Sequence, residues 1–300
     1  MRPILFWFDA PLIGRVEFPA YFTLLTIGFA FATWITAREA KRIELDHQLI
    51  IDANLWMVVW GLIGARVLHL IADGHFHDYV NLCVNPKLVP AIDPPVALCH
   101  IVAGKDPCLP DFLCDTDRQV CYPPKDCFAA LEVWRGGLAY YGGFLFAVAF
   151  AMYFLRRHKM PIGRVSDLAA PAISLGLFFG RTGCFLNGCC YGKLTTSHFG
   201  VRFPGLGVRH PTQLYEALAC LAISAFLYYH VRPRKRHDGE MIAGLLILYA
   251  IARSVIEIWR DDDRGVFFGG YLSTSQIISI PLFAAGVYLL WRLRRRPALG

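Results

Sequence analysis

Seven stretches of roughly 20 predominantly apolar residues, near 18–37, 51–72, 137–155, 165–187, 212–231, 240–259 and 272–292, recur along the chain. A helix of that length crosses a hydrocarbon core of about 30 Å. Backbone inside lipid must satisfy its own polar groups, and only helices or closed barrels do so. The expected fold class is therefore all-α, a polytopic membrane protein of about seven transmembrane helices. Composition agrees, since 56% of side chains are apolar and 18% charged, too oily for an ordinary soluble domain. The net charge of +7 does not argue for a nucleic-acid partner, because the basic residues sit in short clusters between apolar stretches rather than along one face. The partner this composition demands is a lipid bilayer.

An odd number of crossings puts the two ends of the chain on opposite sides. The connections after the first, third, fifth and seventh stretches carry Arg38, Lys41 and Arg42; Arg156, Arg157 and Lys159; Arg232, Arg234, Lys235 and Arg236; and Arg292 with Arg294 to Arg296. Every strong basic cluster falls on one face, which the positive-inside rule makes cytoplasmic. The amino terminus and the loops near 73–136, 188–211 and 260–271 are expected outside, the carboxyl terminus in the cytoplasm. The opening residues MRPILFWFDAPLIGRVEF hold an apolar run of about six residues ended by Asp9, too short for a signal-peptide core. They read as an amphipathic segment at the membrane surface, with Phe6, Trp7 and Phe8 as interfacial anchors. The chain reads as one membrane domain over 1–300, carrying a loop insertion at 73–136 between the second and third spans.

Six of the ten cysteines, Cys83, Cys99, Cys108, Cys114, Cys121 and Cys127, crowd into that loop. Disulfides persist in oxidising compartments, so the loop belongs on the side where the charge bias already places it. Three bridges are possible and the pairing stays open. The loop is either a stapled lid or docking module, or a small segment held by disulfides because it lacks a core. Zinc is a third reading, weakened because the loop has no CxxC pair.

Ionisable residues inside spans are costly, so each is by default a functional hypothesis. Arg66, Arg181, Arg253 and Glu257 qualify. Arg253, Glu257 and Arg260 are spaced i, i+4 and i+7, which predicts one face near the outer end of the sixth span, where an anionic headgroup could dock. The alternative is that Arg253 merely pairs with Glu257 to lock helices together. Arg181 lies near the outer end of the fourth span in GRTGCFLNGCCYG, whose glycines admit a ligand or another backbone. Two arginines facing one cavity would hold a phosphate, because guanidinium groups bind it bidentately and stay charged when desolvated. RGGLAYYGG at 135–143 opens the third span, its glycines serving either ligand approach or tight helix packing.

The blocks GGLAYYGG, VSDLAAPAISLGLFFGRTGCFLNG, RHPTQLYE and YAIARSVIEIWR, with Tyr21 in the first span and SQIISIP in the seventh, resemble in content and order the motifs of the bacterial prolipoprotein diacylglyceryl transferases. The resemblance covers nearly the whole chain. It implies an enzyme of the bacterial cytoplasmic membrane, with its active site toward the periplasm. The implied reaction transfers a diacylglyceryl group from phosphatidylglycerol to the thiol of a lipobox cysteine in a prolipoprotein, forming a thioether and releasing glycerol phosphate. No metal or cofactor is implied. Arg181 and Arg253 take the positions of the family's phosphate-binding arginines and are the expected catalytic pair. Tyr21, Asn187, Gly188, Gly192, Glu257 and Arg260 match other motif positions, and with Arg66 and Gly142 they make up the expected substrate-binding set.

Three departures fall inside the motifs. Tyr141 stands where the family usually has histidine, Cys184 replaces an asparagine, and Cys189 replaces an acidic residue beside Cys190. An unperturbed tyrosine, with a pKa of about 10, is a poor base at neutral pH. Tyr141 could orient substrate or act as a base beside arginines, His210 in the RHPxQ position could replace it, or a positive site could ionise the thiol without a base. Cys184, Cys189 and Cys190 read either as a disulfide or redox-sensitive thiols or as small apolar packing, and Cys220 as a buried small residue. The departures motivate one rival, a paralogue using the lipid site for other thiol or redox chemistry. A second rival is a non-enzymatic lipid-binding or transport protein.

Overall fold

The computed structural model describes residues 3–10, 14–72, 74–89, 113–115, 120–131, 139–261, 266–267 and 272–295. Its helices are α1 (Ala20–Arg42), α2 (His47–Ala72), the short α3 (Phe76–Val84), α4 (Tyr140–Arg157), α5 (Ile162–Asn187), α6 (Thr212–Phe226), α7 (Glu240–Ile256) and α8 (Thr274–Arg294). A π-turn at Leu227–Val231 and a 3-10 turn at Arg232–Arg234 prolong α6, and a 3-10 turn at Glu257–Trp259 prolongs α7. Among the described residues six helices are long and apolar enough to cross a bilayer: Ala20–Arg42, His47–Ile71, Ile162–Asn187, Thr212–Arg234, Glu240–Trp259 and Thr274–Arg294. The chain is an all-α, multi-pass membrane protein. The stretch read near 137–155 forms α4, which is not one of the six. Its paired tyrosines and glycines at one end and Arg156 with Arg157 at the other dilute the apolar centre, although 18 residues still reach about 27 Å.

The opening segment is a β-hairpin of β1 (Ile4–Ala10) and β2 (Gly14–Pro19), with Trp7 opposite Glu17 and Phe8 opposite Val16. Its aromatic and β-branched residues favour a strand. Phe6, Trp7 and Phe8 are about half exposed, as interfacial anchors would be. Three further hairpins decorate the connections: β3 (Leu113–Asp115) with β4 (Val120–Tyr122), β5 (Val201–Phe203) with β6 (Gly207–Arg209), and β7 (Val266–Phe267) with β8 (Leu272–Ser273).

Contacts divide the chain into two compact units, Met1–Ile51 with Lys159–Gly300, and Asp52–His158. In the first, α5 packs against α1, α6 and α7, and α7 packs against α6 and α8. The core is built by Ala170, Ile223, Leu227, Met241 and Leu245. Helices also approach through small polar side chains that find backbone acceptors in a neighbour. Ser174 donates to the Cys220 carbonyl at 2.7 Å and Ser224 to the Pro171 carbonyl at 2.9 Å. Cys220 is buried there, as its reading as a small packing residue expects.

One end of this unit is tied by two buried carboxylates. Glu39 meets Arg42 at 2.7 Å, the Tyr228 hydroxyl at 3.0 Å, and Arg232. Asp167 accepts the backbone N–H groups of Gly239, Met241 and Ile242 at 3.0, 2.9 and 3.2 Å and the Lys235 ammonium at 2.8 Å. A carboxylate of α5 thus satisfies donors that the start of α7 would otherwise leave unpaired.

In the second unit α2 and α4 approach at glycine. A Cβ on Gly142 would stand 2.2 Å from the Gly64 carbonyl oxygen, so backbone packs there on backbone. Arg66 donates to the carbonyls of Ala130 at 2.7 Å and Ala129 at 2.5 Å and lies over the Tyr79 ring. Cys83 and Cys127 lie within bonding range of each other, 44 residues apart in sequence, and Cys114 and Cys121 are backbone partners across β3 and β4. Cys99 and Cys108, and with them the rest of the disulfide and zinc readings of the loop, lie outside the described residues.

Candidate functional site

The other end of the first unit gathers the carboxyl ends of α5 and α7, the amino ends of α1, α6 and α8, and the loop 188–211. Its centre is Glu216, in the second turn of α6 and 1% exposed. Its Oε1 lies 3.0 Å from Arg181 Nε and accepts the Tyr249 hydroxyl at 3.0 Å. Its Oε2 lies 3.7 Å from Arg260 Nη1. Arg260 Nε is 3.7 Å from Glu257 Oε2, which also accepts from Arg253 Nη1. Arg253 Nη2 donates to the Ser275 hydroxyl at 2.6 Å. Arg181 and Arg253, on different helices, therefore belong to one chain of alternating charges running Arg181, Glu216, Arg260, Glu257, Arg253.

Among the described residues, three guanidinium groups and two carboxylates leave this network one positive charge in excess. Arg253 is 6% and Arg260 4% exposed, and the Arg181 side chain 20%. A surplus cation held this far from water is costly unless an anion arrives. Arg253 pairs with Glu257, as one of its two readings expects, and its bond to Ser275 ties α7 to α8.

Arg260 is where the helical-face reading needs correction. The α-helix ends at Ile256, and Arg260 adopts an extended conformation with φ −76° and ψ 153°. It forms an antiparallel bridge with Gly192, and this bridge, not i+7 spacing, turns it into the network. Lys193 N–H donates to the Trp259 carbonyl and Gly192 N–H to the His210 carbonyl, at 2.9 and 2.8 Å. A Cβ on Gly192 would lie 2.3 Å from the Trp259 oxygen, so glycine is required by the strand approach. His210 stands two residues before α6, its Nδ1 3.1 Å from the Tyr215 hydroxyl and its ring beside Trp259.

α5 ends at Asn187, which is exposed, and Gly188 closes it in the left-handed conformation at φ 77°. This is the ordinary glycine stop for a helix. Cys189 N–H donates back to the Cys184 carbonyl at 3.2 Å, and Cys190 also has positive φ, 63°. The Cys189 and Cys190 carbonyls accept from Gln213 Nε2 at 2.5 Å and Thr212 Oγ1 at 3.1 Å. The sulfurs of Cys184, Cys189 and Cys190 lie within 4.8 Å of one another. The neighbouring thiols of Cys184 and Cys189, with the charges of Arg181 and Arg260 nearby, hold the Cys190 thiol below its ordinary range. Tyr21 begins α1 beside them, its backbone 3.1 Å from where a Gly183 Cβ would stand.

Of the residues expected from sequence, Arg181, Arg253, Glu257 and Arg260 come together, with Tyr21, Gly188 and Gly192 in the elements around them. Tyr141, Gly142 and Arg66 belong to the other unit. Tyr141 is 46% exposed, Gly142 is occupied by the α2 backbone, and Arg66 holds loop carbonyls. Glu216, Tyr249 and Ser275 were not in the expected set. Glu216 carried a usable signal, a carboxylate inside an apolar helix, while Tyr249 and Ser275 opened two of the motif blocks but had no charge to single them out.

The family model described as prolipoprotein diacylglyceryl transferase matches residues 10–93 and 118–292. A protein of Nitratidesulfovibrio vulgaris strain DP4 named phosphatidylglycerol–prolipoprotein diacylglyceryl transferase is 39% identical over 285 residues, 93% of this chain and 91% of the relative. Proteins of the same name from Allorhizobium ampelinum and Caulobacter vibrioides strain NA1000 are 37% and 35% identical over 55% and 58% of this chain. Those matches span 60% and 63% of the relatives, less than two thirds of their length.

Proposed function

Because the chain belongs to the prolipoprotein diacylglyceryl transferase family, we propose that it transfers the diacylglyceryl group of phosphatidylglycerol to the lipobox cysteine thiol of prolipoproteins. The product is a thioether and the leaving group is glycerol phosphate. The observation that carries this reading beyond the family is the convergence of Arg181, Arg253 and Arg260 in one buried network. A phosphodiester is an anion that planar guanidinium groups bind bidentately while staying charged away from water.

In this reading the thiolate attacks the glyceryl carbon that bears the phosphate. As the C–O bond breaks, the electron pair moves onto the departing phosphate oxygen. Arg181 and Arg253 stabilise that growing charge, each worth about 3–4 kcal/mol in a water-poor site. Arg260, Glu257, Tyr21, Asn187, Gly188 and Gly192 shape the headgroup site, and Glu216 positions Arg181 and Arg260. His210 is the nearest motif histidine for proton transfer. The protein resides in the bacterial cytoplasmic membrane with about seven spans, α4 included, amino terminus outside and carboxyl terminus in the cytoplasm. The site then faces the periplasm, opposite the basic clusters. A second reading, the same lipid site serving another thiol acceptor, draws support from the Cys184, Cys189 and Cys190 cluster.

The test uses purified protein, phosphatidylglycerol labelled in its diacylglyceryl part, and a peptide with a lipobox cysteine. Labelled thioether peptide is the expected product. Transfer only to other thiols favours the second reading, and lipid binding with no covalent product defeats both.

A further inference from the structure

The three thiols at the end of α5 have no part in the phosphate chemistry above, yet their surroundings are organised. Cys184 lies on the last helical turns one turn beyond Arg181, and Cys189 and Cys190 follow the glycine stop. Cys190 holds a left-handed backbone conformation that is unfavourable for a non-glycine residue. Such outliers persist only where surrounding structure over-determines them. Here two fully buried side chains, Thr212 and Gln213, clamp the Cys190 and Cys189 carbonyls. The turn is held so that three sulfurs converge, Cys189 and Cys190 at 3.7 Å and all three within 4.8 Å.

Zinc binds thiolate sulfur at about 2.3 Å in tetrahedral geometry, which sets sulfurs about 3.8 Å apart. One pair already has that spacing, and the remaining sulfur separations exceed it by no more than about 1 Å. We infer that Cys184, Cys189 and Cys190 bind a zinc ion whose fourth position takes the incoming substrate thiol. The inference rests on the proposed transfer reaction, whose nucleophile is itself a thiol. Three protein ligands and one open position are the arrangement of catalytic rather than structural zinc. Three thiolates around a dication carry one net negative charge, and the guanidinium groups of Arg181 and Arg260 lie nearby.

The step balances without a redox partner. The substrate S–H binds the metal and loses its proton to solvent, because a coordinated thiol is deprotonated. The sulfur lone pair then forms the C–S bond as the C–O bond to phosphate breaks, and the electron pair leaves with glycerol phosphate. The neutral thioether is a weaker ligand than a thiolate and departs. An ordinary thiol of pKa about 8.5 is only about 3% ionised at pH 7, so coordination raises the reactive fraction about 30-fold there and about twofold at pH 8.5.

The test uses the full chain purified under reducing conditions in lipid nanodiscs. Elemental analysis should find one zinc per chain, lost in Cys189→Ser. Cobalt loaded into stripped protein should give thiolate charge-transfer bands, which intensify when a cysteine peptide is added and not when its serine counterpart is. Stripping zinc should slow transfer about 30-fold at pH 7 and much less at pH 8.5, with zinc restoring it. Undiminished transfer by metal-free protein overturns the inference while leaving the transferase reading intact. Cobalt bands that ignore the cysteine peptide, or a disulfide among the three cysteines in place of bound metal, also overturn it. Cobalt bands that respond to the peptide in a protein that transfers nothing would uphold the thiol site and defeat the transferase reading.

Discussion

Replacing Arg181 by glutamine separates catalysis from scaffolding when it is paired with a second change. Arg181 lies 3.0 Å from Glu216, a carboxylate 1% exposed whose other partners are the Tyr249 hydroxyl at 3.0 Å and Arg260 at 3.7 Å. Removing one member of a buried pair costs about 3–5 kcal/mol, and the 20% exposure of the Arg181 side chain puts Arg181→Gln toward the lower figure. The same change removes a donor worth about 3–4 kcal/mol to the departing phosphate, a rate loss of 10²–10³ or about that. In Arg181→Gln the network, counted over the described residues, falls from one surplus positive charge to none. Adding Glu216→Gln returns it to one, with Arg253 and Arg260 against Glu257, and leaves a neutral amide pair where the ion pair stood. Thermal unfolding in nanodiscs should show the double variant recovering most of the lost stability. Transfer of labelled diacylglyceryl should stay depressed about 100-fold or more, because net charge is restored but the guanidinium fork is not. A double variant that transfers at the wild-type rate would refute the catalytic role and reduce Arg181 to a partner of Glu216.

Arg253→Lys keeps the charge but cannot hold Glu257 and Ser275 in one planar fork, so transfer should fall by about 10–100-fold with little change in unfolding temperature. Gly192→Ala drives a methyl group to 2.3 Å from the Trp259 oxygen, which should displace Arg260 and abolish transfer while leaving a folded protein by circular dichroism. Asp167→Asn, at the opposite end, should lower stability by about 1–3 kcal/mol through weakened capping of α7. Its transfer rate at low temperature should match wild type. Replacing Cys83 and Cys127 by serine should speed protease cleavage within 74–131 if the pair closes that loop, and unchanged cleavage would argue against the bridge.

The helices were legible because apolar length is set by the bilayer and needs no tertiary information. Arg181, Arg253 and Glu257 were legible for a related reason, since a charge inside such a stretch is conspicuous. Arg260 was legible as a participant but not in its route. Spacing assumes a helix that continues, and the exchange of hydrogen bonds with the 190s loop ends it at Ile256. Glu216 escaped because it lies so near the start of α6 that it passes for a boundary residue. The opening hairpin escaped because its short aromatic run fits an interfacial helix as well as a strand, and long-range pairing decides between them. Gly142 shows the ambiguity of glycine itself. The pattern that would admit a ligand also admits a helix, and only the neighbour tells which.

The two ends of the first unit show why the same residue types carry different meaning. Around Glu39, Asp167 and Asp238 the cations also outnumber the carboxylates, but Arg42, Arg164, Arg232 and Lys235 are 50%, 47%, 28% and 26% exposed. Water solvates that surplus, and its work is to tie helix ends together. At the Glu216 end the guanidinium groups of Arg253 and Arg260 are ones that water barely reaches, so solvent screens them little and a bound anion feels them strongly. Phosphatidylglycerol affinity should accordingly fall only weakly with added salt, whereas a surface-charge mechanism requires it to weaken steeply. A steep salt dependence would mean that the exposed basic clusters, not the buried network, recognise the lipid.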